Sequence, residues 1–265
     1  MATLSQQASV KPDRLFYTAA GAIFLVLMVV GFQHYIFGGK HHDGTPIDPS
    51  NVATVAVHGS LFFAWYVLFF VQSLLISTQN RRVHMKLGWS VLVIAPLIVL
   101  TSALVVIRWI HLVPSNDPVV HQLRMLQLTE ILLYTVFVAV GVLNRKRPRI
   151  HRPMMLLSCL VFQPATTTRI PLINSVFGGY PKWKSFDLAQ FYIPAMSPSL
   201  ASWMTWWGPT VSLGALLLLM RLVMTRRVER EFAVGYAAFV VVTVVASTLA
   251  LTSVWVNLTG TILNL

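Results

Sequence analysis

Long apolar runs separated by short polar turns set the pattern of this chain. Runs of about 20 apolar residues, each long enough to cross a ~30 Å hydrocarbon core as a helix, recur along its whole length. The first covers Leu15 to Phe37. It is too long for the apolar region of a signal peptide and no small-residue cleavage site follows, so an uncleaved first helix is expected. Further helices are expected over Ala53 to Thr78, Leu87 to Ile110, Val119 to Leu143, Met154 to Asn174, Trp203 to Met224 and Phe232 to Leu258. The fifth is the weakest, because it holds Gln163, Pro164, three threonines and Arg169. Pro164 should kink it, with the threonines and neighbouring helices satisfying the freed carbonyls. Gly and Pro mark the turns at 38–46 and 114–118, and a long polar loop occupies 176–202.

Composition agrees with lipid as the solvent. Of the 265 residues 56% are hydrophobic and only 11% charged, against roughly 25% charged in soluble domains. The expected architecture is all-α: one polytopic membrane domain of seven helices over 15–265, behind a polar N-terminal tail at 1–14. A net charge of +12 would suggest nucleic acid in a soluble protein. Here the Lys and Arg sit in short turns between apolar runs, so no contiguous basic face forms and nucleic-acid binding is excluded. The single cysteine, Cys159, lies in an apolar run and reads as a small core hydrophobe.

Charge also sets orientation. Alternate turns hold Lys11, Arg14, Arg81, Arg82, Lys86, Arg145, Lys146, Arg147, Arg149, Arg152, Arg221, Arg226, Arg227 and Arg230, fourteen in all. The other side has six: Lys40, Arg108, Arg124, Arg169, Lys182 and Lys184. The positive-inside rule then puts the N-terminus and this 1–14 tail in the cytoplasm and the C-terminus outside. It also requires the weak fifth segment to span, because the turns at 144–152 and 225–230 share a side. Trp109, Trp203, Trp206, Trp207 and Trp255 fall at outer ends, where an interfacial aromatic belt would place them.

Ionisable side chains within such segments mark function by default. Four successive helices each bring one histidine near an end. His58 and His121 form a candidate outer pair on helices two and four, and His84 and His151 an inner pair on helices three and five. Two imidazoles from facing helices can clamp one haem iron. On helix two, Trp65, Phe69 and Gln72 fall within about 40° of His58 at 100° per residue, a stripe against which a flat macrocycle could pack. Helix–helix packing is the plainer account of that stripe. Arg108, Arg124 and Arg169 lie near the same outer end and could hold haem propionates or another anion, or simply snorkel to headgroups. Glu130, near mid-membrane, is a candidate proton relay, or a structural partner of a group such as Gln163. His34, His41, His42, Asp43 and His111 read as solvated loop residues. No Walker A loop, Gly-x-Ser-x-Gly elbow or Gly-x-Gly-x-x-Gly motif is present.

Two resemblances follow from these residues. The order of His58, His84, His121 and His151 over four helices resembles the cytochrome b561 family, which implies two b-type haems and transmembrane electron transfer. The local sequences His58-Gly-Ser-Leu-Phe, His84-Met-Lys-Leu-Gly88, His151-Arg-Pro-Met-Met155 and Arg169-Ile-Pro171 resemble a group of uncharacterised bacterial polytopic membrane proteins, over roughly residues 55–171. That implies a bacterial inner membrane and no particular activity. The expectation is a haem-b electron-transfer protein, working with a quinone or another membrane redox partner. The alternatives are a non-catalytic subunit or assembly factor of a larger respiratory or photosynthetic membrane complex, and a transporter or lipid-modifying protein with an outer pocket for an anionic substrate.

Overall fold

The computed structural model describes residues 2–41, 44–112, 118–173, 198–255 and 257; for 2–11, 109–112, 118–123, 198–202 and 205 only the backbone is described. Ten helices account for most of these residues: α1 Ala2–Gly31, α2 Gln33–Gly38, α3 Pro49–Ser77, α4 Arg81–Gly88, α5 Val91–Leu112, α6 Pro118–Leu143, α7 Pro148–Val161, α8 Gln163–Thr167, α9 Pro198–Thr225 and α10 Arg230–Leu249. Six of them contain stretches long and apolar enough to cross a membrane: α1, α3, α5, α6, α9 and α10. Their outward faces carry exposed apolar side chains, such as Val26, Leu132, Leu216 and Val241, each about 60% exposed. A soluble bundle would present polar side chains there. The protein is therefore a multi-pass, all-helical membrane protein.

The residues read as a polar tail continue into α1, which begins at Ala2. Two short helices were not expected. One is α2; the other is α4, entered through Asn80, whose side-chain oxygen accepts the Val83 N–H at 3.4 Å. The long loop expected over 176–202 falls largely on 174–197, outside the described residues.

The fifth segment is broken, and its break lies where the proline demands it. A proline disfavours helical dihedrals in the residues before it and supplies no N–H. α7 stops at Val161, Phe162 forms a turn, and α8 restarts with Pro164 in its first turn. Threonines do accompany the break: Thr167 donates to the Gln163 carbonyl at 2.9 Å and Thr168 to the Pro164 carbonyl. The deeper repair comes from α3. The Tyr66 hydroxyl donates to the Cys159 carbonyl at 3.1 Å and accepts from Gln163 Nε2 at 3.0 Å.

α7 is also the centre of the bundle. It packs against α1, α3, α6, α9 and α10, and Leu156, Leu157, Cys159, Leu160 and Val161 are fully buried. Cys159 is thus the core hydrophobe its surroundings suggested. α1 closes onto α8 at Gly31, where an added Cβ would lie 2.6 Å from the Thr166 carbonyl oxygen. Only a glycine allows that approach.

At one end of the bundle α1, α9 and α10 are clasped by ions. Arg221 of α9 reaches Asp13 at 2.7 Å and Glu229 at 3.1 Å. Its guanidinium lies over the Phe16 and Tyr17 rings at 5.2 and 5.6 Å, and the Tyr17 hydroxyl donates to Glu229 at 2.7 Å. Burial pushes the Glu229 carboxyl above its usual range, against the opposing pull of Tyr17 and Arg221.

Candidate functional site

The histidines end up at two ends of the molecule. Near the clasped end, His84 of α4 donates from Nδ1 to the Gln72 carbonyl of α3 at 3.2 Å. His151 of α7 donates from Nδ1 to the Gly141 carbonyl of α6 at 2.9 Å. A carbonyl can only accept, so both rings carry the proton on Nδ1 and keep a lone pair on Nε2. No hydrogen bond reaches either Nε2 among the described residues. Burial lowers the pKa of both rings below the usual imidazole value, and His151 lies close enough to His84 to lower it further. Both are therefore neutral at pH 7. Beside them Gly88 leaves room, since a Cβ there would meet only the Gln72 Nε2, at 3.6 Å. The buried Oε1 of Gln72 has no partner.

At the opposite end His58 lies on the wall of a cavity of about 1050 Å³ between α1, α3, α5, α6, α8 and α9. The cavity descends from Asp48 and Arg108 at its rim to Tyr66, Glu130 and Trp206. Its walls are largely aromatic and aliphatic, with Phe62 and Phe162 meeting edge to face at 4.5 Å. The His58 Nδ1 lies 3.2 Å from the Thr101 hydroxyl. That hydroxyl also reaches the Leu97 carbonyl at 2.9 Å, and with its proton donated there it accepts from His58 Nδ1–H. The ring again keeps its proton on Nδ1, with no hydrogen bond to Nε2 among the described residues. His121 stands in the first turn of α6, and its side chain lies outside what is described.

The outer arginines separate. Arg169 lines the cavity, lying over the Phe32 and Tyr35 rings at 4.8 and 5.8 Å and donating to the Ala165 carbonyl. Its Nε is buried without a partner. Arg108 ties the end of α5 to the start of α3, donating to the Ser50 carbonyl at 3.1 Å and to Asn51 at 3.2 Å. Arg124 is 1% exposed and stays outside the cavity wall. Trp65 does too: it packs edge to face on Tyr134 at 5.2 Å, and Phe69 packs on Phe24 of α1 at 6.4 Å. The stripe on α3 is thus split between the cavity, at His58, and helix packing.

Glu130 does not pair with Gln163. One of its oxygens accepts the Trp206 indole N–H at 3.0 Å, and Gln163 goes to Tyr66. Trp206 and Trp207 are 7% and 0% exposed, so they belong to the core and not to an interfacial belt. Both bond donors were drawn inward by what they pack on, Trp206 by Glu130 and Trp207 by the Phe239 ring at 5.5 Å. His41 shares a hydrogen bond with the Tyr35 hydroxyl at 2.9 Å; His42 and Asp43 lie outside the described residues.

Tyr66, Thr101, Ser102 and Gln127 join the cavity or its support without having been singled out in the sequence. Gln127 was the findable one, because it stands three residues before Glu130 and so on the same helix face. Among the described residues no three His, Cys, Asp or Glu side chains come together, so no closed four-ligand site of the structural-zinc kind forms there. Set against family models, curated proteins and solved structures, the chain matches none.

Proposed function

We propose that the protein is a b-type-haem-binding electron-transfer protein of a bacterial inner membrane, exchanging electrons with a lipid-soluble partner such as a quinone. It crosses seven times, with its N-terminus inside. α7 and α8 together cover 148–167, which at 1.5 Å per residue is about 30 Å and enough to span despite the break. The basic turns, fourteen residues against six, support the orientation.

The observation that carries this reading is the inner pair. His84 and His151 come from different helices, are neutral, and each has its Nδ1–H fixed on a backbone carbonyl. Ligating histidines characteristically bond in this way, which sets the tautomer and ring orientation and raises the basicity of the nitrogen left free. Two such imidazoles fit a b-type haem, which when bound supplies one-electron ferric–ferrous exchange. His58 has the same form, and with His121 it makes the second pair that this reading allows, with Arg169 and Arg108 near the rim to hold propionates. The cytochrome b561 resemblance points the same way.

The test is the visible spectrum of the detergent-purified chain, oxidised and dithionite-reduced, after expression with ample haem supply. Sharp reduced α and β bands that disappear in both His84→Ala and His151→Ala are expected. A protein that stays colourless would end the reading.

One observation favours a second reading, the cavity beside His58. It suits a protein that takes up a small amphiphile on its outer side, as in the pocket expected from the sequence. Its lining carries a carboxylate at the rim, Asp48, beside Arg108 and Arg169, which does not single out an anionic occupant.

A further inference from the structure

The cavity beside His58 carries hydrogen-bonding groups that the protein leaves unmatched: several acceptors, the Ser102 hydroxyl and one donor, Arg169 Nε. His58 offers a lone pair on Nε2, because Thr101 holds its proton on Nδ1. Glu130 uses one oxygen on Trp206 and has no hydrogen bond on the other among the described residues. Gln127 Oε1 is buried without a partner, and so is the Ser102 hydroxyl oxygen. All four residues line the cavity, and Glu130 and Ser102 are each 5% exposed. Of these atoms Gln127 Oε1 and the Ser102 oxygen are buried, and buried polar atoms left unmade are costly, so an occupant that bonds to them gains what they otherwise lose.

Charge narrows the occupant further. Arg169 is already engaged by the Phe32 and Tyr35 rings and the Ala165 carbonyl, and Arg108 by Ser50 and Asn51, so a net charge brought against the aromatic wall would stay uncompensated. The body of the occupant must match Phe62, Phe162, Val106 and Ile131. At ~30 Å³ per water-sized group the volume admits about 35 such groups.

We propose that the outer cavity binds a neutral, hydroxyl-bearing amphiphile. Its hydroxyl donates among His58 Nε2, Glu130 and Gln127, and its apolar body lies along the aromatic wall. This rests on the second reading above and not on haem at the inner pair. It competes with iron at His58, because one nitrogen cannot accept from a hydroxyl and ligate a metal together.

The experiment measures binding of radiolabelled 1-hexadecanol to the full chain in detergent, with hexadecanoic acid and hexadecylamine as competitors. Saturable binding of one alcohol per chain is expected, with the acid and the amine competing at least tenfold more weakly. Glu130→Leu removes one acceptor and should weaken binding about 3- to 10-fold. Gly59→Leu keeps every polar group and projects into open space in the same wall, so it should fold and abolish binding. Alcohol binding that survives Gly59→Leu unchanged overturns the proposal, whatever Glu130→Leu does to folding. An acid or amine that binds as tightly as the alcohol, and is lost in Gly59→Leu, overturns the hydroxyl assignment while leaving an amphiphile pocket. No saturable binding of any of the three overturns both. A haem band lost in Gly59→Leu would put iron at His58 and likewise overturn it.

Discussion

The two ends of the bundle handle polar groups in opposite ways. At the clasped end the charges pair with one another: Arg221 lies between Asp13 and Glu229 and over two rings, and Tyr17 bonds Glu229, while Gln72 Oε1 and one Arg221 amino group stay without a hydrogen bond. At the outer end polar atoms line an open volume and stay unpaired, among them Arg169 Nε, Gln127 Oε1 and Ser102 Oγ. Buried polar groups that satisfy one another hold helices together. Those left facing a cavity are arranged for something that arrives later. The contrast assigns stability to the ion clasp and binding to the cavity.

Removing the clasp is the severest test of that division. Arg221→Leu removes the ion-pair partner of the largely buried Glu229, leaving it only Arg152 at longer range, and should cost about 3 kcal/mol. A thermal melt in detergent reads it, and an unchanged Tm would erase the distinction between the ends. Thr101→Val at the outer end should cost only about 1 kcal/mol, one hydrogen bond's worth. Its larger consequence is a His58 ring free to take either tautomer, visible as a changed imidazole pattern by nitrogen NMR. If Thr101→Val destabilises as much as Arg221→Leu, the outer end is a structural element after all.

The smallest effect is a pH dependence that belongs to the inner end. Both His84 and His151 have folded pKa values below the usual imidazole value near 6.5. As pH falls through that value the unfolded chain takes up protons first, so stability is present above it and declines below it. The drop in Tm between pH 7.5 and 5.5 should shrink in a His84→Gln, His151→Gln double variant. A drop of the same size in that variant would place the pH sensitivity elsewhere.

What could be read from the sequence divides along physical lines. Apolar run length is a local property, and it located the six long helices. Pro164 is a local breaker, and the chain breaks two residues before it. Contacts made across the bundle leave no such trace. Trp65 and Phe69 share a helical stripe with His58, yet meet Tyr134 and Phe24 from other helices. Trp206 and Trp207 stand at a helix end that should favour the interface, but a buried carboxyl and a ring draw them inward. Glu130 and Gln163 were natural partners by depth alone, and each chose a neighbour the linear order could not reveal. Nor can spacing show which way a histidine tautomer is set. That took Thr101, whose own proton is committed to Leu97.

The bond from Tyr17 to Glu229 joins positions 212 residues apart, which has a consequence for biogenesis. A chain enters the membrane from its N-terminus forward, so α1 is inserted long before its ionic partners on α9 and α10 leave the ribosome. Until then Asp13 and the Tyr17 hydroxyl must rely on water or headgroups at the membrane surface. The bundle can therefore lock only when the final hairpin arrives, and chains released before residue 229 would present quality-control proteases with an unclosed ring.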